Sequence, residues 1–258
     1  MTIGLSQEGA VHSTLNLFCL PYAGGSATIY REWPAHLPRW IKLIPLHMPG
    51  RGVRQQLAPM HRWPELLDLL LEDMRPDLDQ PFAIFGHSMG ALVGLELAHA
   101  IRRRYGLSPL WFGASACAAP ARREPGGDWL TCPESAVLEQ MRSLNGTPEE
   151  LLLSRDLMNL VLPFMRADFH LCGSYAYRQR PPLACPVLAL GSNSDDVSLD
   201  PTNLSAWSLE TSGPFVKETL DAGHFFINTH RDTLIELLVA SLKQAVTAPR
   251  RRLTAVAA

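Results

Sequence analysis

One serine in this chain sits where a hydroxyl can become a nucleophile. It lies in Gly86-His87-Ser88-Met89-Gly90, directly after the apolar run Pro81–Phe85 and directly before the helical pattern Ala91–Tyr105. Strand, sharp turn and helix in that order push a serine out at the end of a sheet. Glycines two residues to either side let strand and helix pack closely, and the helix N-terminus aims partial positive charge at an oxyanion forming beside Ser88. A plain glycine-rich turn, or a phosphate cradle, is the competing reading. The P-loop Lys-Ser/Thr and the G-x-G-x-x-G spacing are both absent from this segment.

A serine needs a base, and the base needs an acid to orient it. Of nine histidines, His224 stands out, in Asp221-Ala222-Gly223-His224-Phe225-Phe226 between the last expected strand and the last helix. That places it at the sheet edge that carries Ser88. His12, His36, His61, His99, His170 and His230 read as surface or satisfied core residues. His87 should diverge from its neighbour Ser88 and pack or hydrogen-bond locally, and His47 is a weaker candidate for lining a pocket. The acid belongs on the loop after the strand Val187–Leu190, which reads Gly191-Ser192-Asn193-Ser194-Asp195-Asp196. Spacing leaves Asp195 and Asp196 both open, although only one of two neighbouring loop residues can face His224. Serine, acid and histidine in that chain order are the α/β-hydrolase arrangement. An oxyanion hole would use the backbone N–H of Met89 and a second donor from Pro21-Tyr22-Ala23-Gly24-Gly25, where the Ala23 N–H is the choice.

Elements that could hold these residues are legible as short apolar runs bounded by turn residues. Strands are expected at Leu15–Leu20, Ile41–Leu46, Pro81–Phe85, Leu110–Ala114, Val187–Leu190 and Phe215–Leu220. Between them fall a helix capped by Ser26, with Tyr30, Trp33 and Leu37 on one face, and helices at Pro64–Met74, Ala91–Tyr105, Leu204–Leu209 and Arg231–Ala245. Strands alternating with helices give a mostly parallel sheet with helices on both faces. From about 120 to 180 the rhythm breaks into helical patterns alone, as expected of a lid. Thr147-Pro148-Glu149-Glu150 reads as a capped helix start, and Asp156–Phe169 as a second helix that Pro163 should weaken or kink. Residues 14–247 form a single domain in this reading, after a loose leader at 1–13 and before a disordered tail at 248–258.

Composition narrows the function classes. The chain has 258 residues, 47% hydrophobic and 19% charged, with a net charge of −2, which suits one large α/β domain rather than a disordered chain. Near-neutral charge gives no support for a nucleic-acid or anionic-membrane binder. No apolar run approaches the roughly 18 residues that span a bilayer, and the N-terminus lacks the pattern of a signal peptide. Five cysteines (Cys19, Cys117, Cys132, Cys172, Cys185), an odd number without CxxC pairs, read as free thiols of a cytoplasmic protein.

Four motifs in order resemble the type II thioesterases, the stand-alone editing enzymes of polyketide and nonribosomal peptide assembly lines. They are Leu20-Pro21-Tyr22-Ala23-Gly24-Gly25-Ser26, Pro49-Gly50-Arg51-Gly52, Phe85-Gly86-His87-Ser88-Met89-Gly90-Ala91 and Gly223-His224-Phe225-Phe226. The resemblance runs from about Leu15 to Ala245. It implies an α/β-hydrolase fold with a helical lid, a Ser88/Asp195/His224 triad without metal or redox cofactor, and acyl thioester substrates. It implies carrier proteins bearing phosphopantetheine as partners and a chain acting as a monomer. Asp195 matches the family's acid, while Asp196 stands where proline is usual. Met141, Leu144, Met158, Met165 and Phe169 are expected to set acyl preference from the lid. Arg102-Arg103-Arg104, a cluster available to an acidic carrier, reads instead as a solvated helix end about 15–20 Å from the serine. Two rival readings are an esterase, lipase or acyltransferase acting on oxygen esters, and a non-catalytic module that binds carriers.

Overall fold

Leu15–Leu20 (β1) is buried at every position, and its side chains divide between two cores. Leu15, Leu17 and Cys19 face one side of the sheet, and Phe18 and Leu20 the other. Phe82–His87 (β3) divides the same way, with Ala83 and Phe85 opposite Phe82 and Ile84. Continuous apolar runs of this kind belong to parallel strands covered on both faces. The computed structural model describes residues 14–196 and 200–247, so the expected leader and tail lie outside the described residues.

The sheet has six strands in the order β2-β1-β3-β4-β5-β6, completed by Ile41–Pro45 (β2), Phe112–Ser115 (β4), Val187–Ser192 (β5) and Phe215–Leu220 (β6). Every neighbouring pair is parallel. Their C-terminal ends therefore share one edge, where the loops after β1, β3, β5 and β6 carry Ala23, Ser88, Asp195 and His224. Trp63–Met74 (α1) and Met89–Tyr105 (α2) pack on one face through Leu66, Leu70, Leu92 and Leu95. The other face is covered by Arg231–Thr247 (α8), with Leu234, Leu238 and Leu242, and by Tyr30 and Trp33.

Between β4 and β5 the chain forms the expected helical insert: Glu134–Ser143 (α3), Glu149–Leu152 (α4) and Arg155–Gly173 (α5). These bury a small core of their own, with Val137, Met141, Leu152, Met158, Met165 and Phe169. Two short helices, Pro201–Ser205 (α6) and Phe226–Thr229 (α7), follow β5 and β6.

Several local expectations are corrected. Ser26 does cap, its Oγ accepting from Thr28 N–H at 3.3 Å, yet the segment forms two 3-10 turns (Ala27–Tyr30, Trp33–Ala35) rather than an α-helix. Pro34 and Pro38 remove the donors and the φ freedom that a continuous helix needs. Leu204–Leu209 likewise divides into the end of α6 and a 3-10 turn. Thr147 caps nothing, because Pro148 takes an extended ψ of 142° and itself precedes α4. The helix expected at Asp156–Phe169 is longer, Arg155–Gly173, and runs on past the exposed Pro163. Arg102 is not a solvated end: its guanidinium donates to the carbonyls of Pro181 (2.6 Å) and Pro182 (2.8 Å) and to His99 Nδ1 (3.0 Å).

Candidate active site

Ser88 sits at φ 55°, ψ −120°, a conformation that L-residues avoid, directly before the first residue of α2. Such a backbone costs on the order of 1–3 kcal/mol and persists only where its surroundings impose it. Here they do. Ser88 N–H donates to the Ser115 carbonyl at 2.7 Å, and the Ser88 carbonyl accepts from Ala91 N–H at 2.9 Å. A side chain on Gly86 would strike the Gly90 carbonyl, and one on Gly90 the carbonyls of Leu20 and Pro21. The two glycines are therefore dictated by backbone meeting backbone.

The hydroxyl of Ser88 lies 3.1 Å from His224 Nε2, and His224 Nδ1 lies 2.9 Å from Asp195 Oδ2. A carboxylate only accepts, so Nδ1 carries the proton and Nε2 is left as acceptor for the serine hydroxyl. His224 and Asp195 are buried, whereas Asp196 is exposed and lines the same cavity as His224. The structure thus brings together Ser88, His224 and Asp195, and of the two neighbouring carboxylates it is Asp195 that contacts the His224 ring. His47 is not among the residues lining the two cavities beside these groups; its carbonyl accepts from Arg54, and burial next to that guanidinium lowers its pKa.

His87 diverges from Ser88 as expected, but its partner is His224 itself. Its Nε2 lies 2.9 Å from the His224 carbonyl and its Nδ1 2.9 Å from Ser115 Oγ. The carbonyl must accept, so Nε2 carries the proton and Nδ1 accepts from the Ser115 hydroxyl. Complete burial, reinforced by the nearby His224, lowers the pKa of His87 to about 3, which keeps the ring neutral in this arrangement.

Met89 is the first residue of α2, so its N–H is one of the helix's unsatisfied N-terminal donors beside Ser88. Ala23 lies in a turn closed by Gly25 N–H to the Tyr22 carbonyl at 2.9 Å. The next residue, Gly24, donates its N–H to Asp168 Oδ2 on α5 at 2.7 Å. Asp168 in turn receives Arg51, and both side chains are buried. Sequence reading passed over Asp168, although a carboxylate on the apolar side of an amphipathic helix was a usable signal. Arg51 was visible only as part of a turn motif.

Two neighbouring cavities share Leu144 and Phe225, and His224 lines the larger of them. One, of about 260 Å³, is apolar, lined by Ala23, Gly24, Met141, Met158, Val161 and Met165 among others. The other, of about 550 Å³, has hydroxyl and amide side chains in its wall (Gln140, Ser143, Asn145, Ser194) together with His224 and Asp195. Of the lid residues singled out from sequence, Met141, Leu144, Met158 and Met165 line the apolar cavity, while Phe169 packs against Trp129 instead. The lid loop seats closely over Phe225, since a side chain on Gly146 would enter that ring.

Among the described residues no helix is long and apolar enough to cross a membrane, and no group of three or more His, Cys, Asp or Glu could hold a metal ion. All five cysteines are free.

The thioesterase domain family matches residues 15–242, from β1 into α8. The gramicidin S biosynthesis protein GrsT of Aneurinibacillus migulanus is 35% identical over 236 residues, covering 92% of this chain and 91% of its own. Among solved structures, the RedJ thioesterase of the prodiginine pathway in Streptomyces coelicolor superposes with a TM-score of 0.81 at 32% identity, covering 89% of this chain and 86% of its own. The type II thioesterase BorB of the borrelidin cluster gives 0.80 at 35% identity, covering 90% and 94%. The parallel sheet and lid are thus the α/β-hydrolase architecture of these enzymes. With the family match spanning every strand and relatives aligned over nearly their whole length, this chain belongs to the thioesterase family.

Proposed function

We propose that this protein hydrolyses acyl thioesters carried on the phosphopantetheine arm of carrier proteins, using Ser88 as nucleophile, His224 as base and Asp195 as orienting acid. The observation that carries the reading is the unbroken chain from Ser88 Oγ through the His224 ring to Asp195, beside an apolar cavity. Relatives assigned to gramicidin S, prodiginine and borrelidin biosynthesis support an editing role in a peptide or polyketide assembly line.

In the first step Ser88 Oγ attacks the thioester carbonyl while His224 Nε2 takes its proton, and Asp195 stabilises the resulting imidazolium. The tetrahedral oxyanion is held by the N–H groups of Met89 and Ala23, each donor of this kind being worth ~3–4 kcal/mol in the transition state. His224 returns the proton to the departing thiol, leaving an acyl-serine. Water then attacks the acyl carbon, His224 again acting as base, and the free acid leaves with Ser88 restored. The acyl chain lies in the apolar cavity. The polar cavity, with its amide and hydroxyl side chains, takes the amide-bearing arm. The chemistry uses only the chain's own groups and water. Free thiols fit a cytoplasmic setting.

The test compares hydrolysis of acyl-carrier thioesters with that of matched oxygen esters. Preferential turnover of the thioesters, lost in Ser88→Ala with carrier binding retained, is the expected result. A strong preference for oxygen esters, or undiminished turnover by Ser88→Ala, would overturn the reading. Failure of a fluorophosphonate probe to label Ser88 would favour a non-catalytic binding module.

A further inference from the structure

We propose that Arg51 and Asp168 are positioning residues for the oxyanion hole, clamping the loop that carries the Ala23 N–H to the lid helix α5. The second oxyanion donor is then in register only while α5 is seated.

The clamp joins three segments that are distant in sequence. Asp168 Oδ2 accepts from Arg51 Nη2 at 2.7 Å and from Gly24 N–H at 2.7 Å. Arg51 Nη1 approaches Asp168 Oδ1 at 3.4 Å, giving a two-pronged pair. Arg51 Nε donates to the Gly25 carbonyl at 2.6 Å. Two of the three peptide groups that follow Ala23 are therefore held from outside the loop: Ala23–Gly24 through the Gly24 N–H, and Gly25–Ser26 through the Gly25 carbonyl. The Ala23 N–H shares its planar peptide group with the Tyr22 carbonyl, which accepts from Gly25 N–H at 2.9 Å, so the orientation of that N–H is tied to the residues the clamp holds. Gly24 stands at φ +79°, and a side chain there would meet Met165 Sδ on α5, so loop and lid helix also touch directly. The guanidinium lies 5.2 Å from the centre of the Phe164 ring, a further contact with α5.

Both charges are almost fully enclosed, at 7% exposure for Arg51 and 3% for Asp168. A buried ion pair is weak as a stabiliser, since desolvation offsets most of the attraction, and apolar residues of similar volume often replace it without loss of stability. Its presence here is better explained by the directionality of its hydrogen bonds. Met165 and Phe164, on the same helix as Asp168, line the acyl cavity. Lid seating around an acyl chain is in this way linked to the donor that receives its oxyanion.

The inference rests on the proposed roles of Ser88 and Ala23, and the experiment separates the two. Steady-state hydrolysis of an acyl-pantetheine thioester is measured for Asp168→Asn, for the double variant Arg51→Met with Asp168→Leu, and for Ser88→Ala, each alongside its Tm. Loss of one oxyanion donor typically costs about 10²–10³-fold in kcat. Asp168→Asn should lower kcat toward that range, with KM changed less than about 3-fold, the signature of an interaction made only in the transition state. The double variant should regain much of the Tm lost in the single variant while its kcat stays low. An acyl trifluoromethyl ketone, which forms a tetrahedral adduct with the serine, should bind Asp168→Asn more weakly, and a non-reacting thioether analogue should bind it as before. Recovery of kcat together with Tm in the double variant would overturn the proposal, as would equal losses of ketone and thioether binding. Normal turnover by Asp168→Asn while Ser88→Ala is inactive sinks this inference alone. Turnover by Ser88→Ala sinks the reading beneath it.

Discussion

The ring of His87 donates from Nε2 to the backbone carbonyl of His224 across 2.9 Å, tying the residue before Ser88 to the main chain of the histidine that Ser88 contacts. The same ring meets His224 edge-on at 5.7 Å between centroids. His224 is thus held from two directions, by Asp195 through its ring and by His87 through its backbone. His87→Phe fills the space without the donor. Its kcat should fall by about 10-fold or more, since small displacements of reacting groups are costly. KM should change little, and steady-state kinetics with thermal unfolding of both proteins checks the effect.

Ser88→Gly should be inactive yet more stable than the wild type. Glycine adopts positive φ without the strain that Ser88 carries at φ 55°. Relief of that strain predicts a gain of about 1 kcal/mol, read as a raised Tm.

Gly86→Ala should be damaging through the backbone alone. The added carbon strikes the Gly90 carbonyl, which cannot turn aside without moving α2 off the sheet. Overpacking against backbone predicts a loss of at least ~3 kcal/mol, seen as a lowered denaturation midpoint or poor soluble yield.

Acid sensitivity should trace in part to two neutral histidines. Burial lowers the pKa of His87 to about 3, and burial with the Arg180 and Arg102 charges lowers that of His99 to about 3. Unfolding restores a pKa near 6.5, so below that pH the unfolded chain binds protons that the folded chain refuses. Their stabilising contribution is whole above about pH 6.5 and is lost progressively as pH falls toward 3. Removing one of them should flatten the curve: the stability of His99→Phe relative to wild type should rise as pH drops through 6 to 4, followed by urea midpoints at each pH.

Acyl-chain preference should follow the apolar cavity. Each methylene buried adds ~0.8 kcal/mol, or about 4-fold in kcat/KM, until the cavity of about 260 Å³ is full. Val161→Phe narrows that cavity and should move the plateau to shorter chains, measured across a series of straight-chain acyl-pantetheines.

The amino-acid sequence by itself determined the central strands β1, β3, β4 and β5, because each is a short apolar run closed by turn residues, and burial on both faces requires little beyond that local pattern. It also located Ser88, His224 and the Met89 amide, since a strand, a glycine-flanked turn and a helix fix the serine through neighbours close in sequence. Tertiary structure alone placed Asp195 rather than Asp196 in contact with His224, since the two share composition and spacing and differ only in which one reaches the ring. It alone revealed that His87 serves the backbone of His224, 137 positions away, and that Asp168 reaches Gly24 across 144. Arg102 is a further case, its side chain drawn onto the Pro181 and Pro182 carbonyls while Arg103 and Arg104 stay exposed. Hydrophobic periodicity records which face of an element is covered, whereas the partner of a buried polar group depends on where distant loops meet, and no local pattern encodes that meeting.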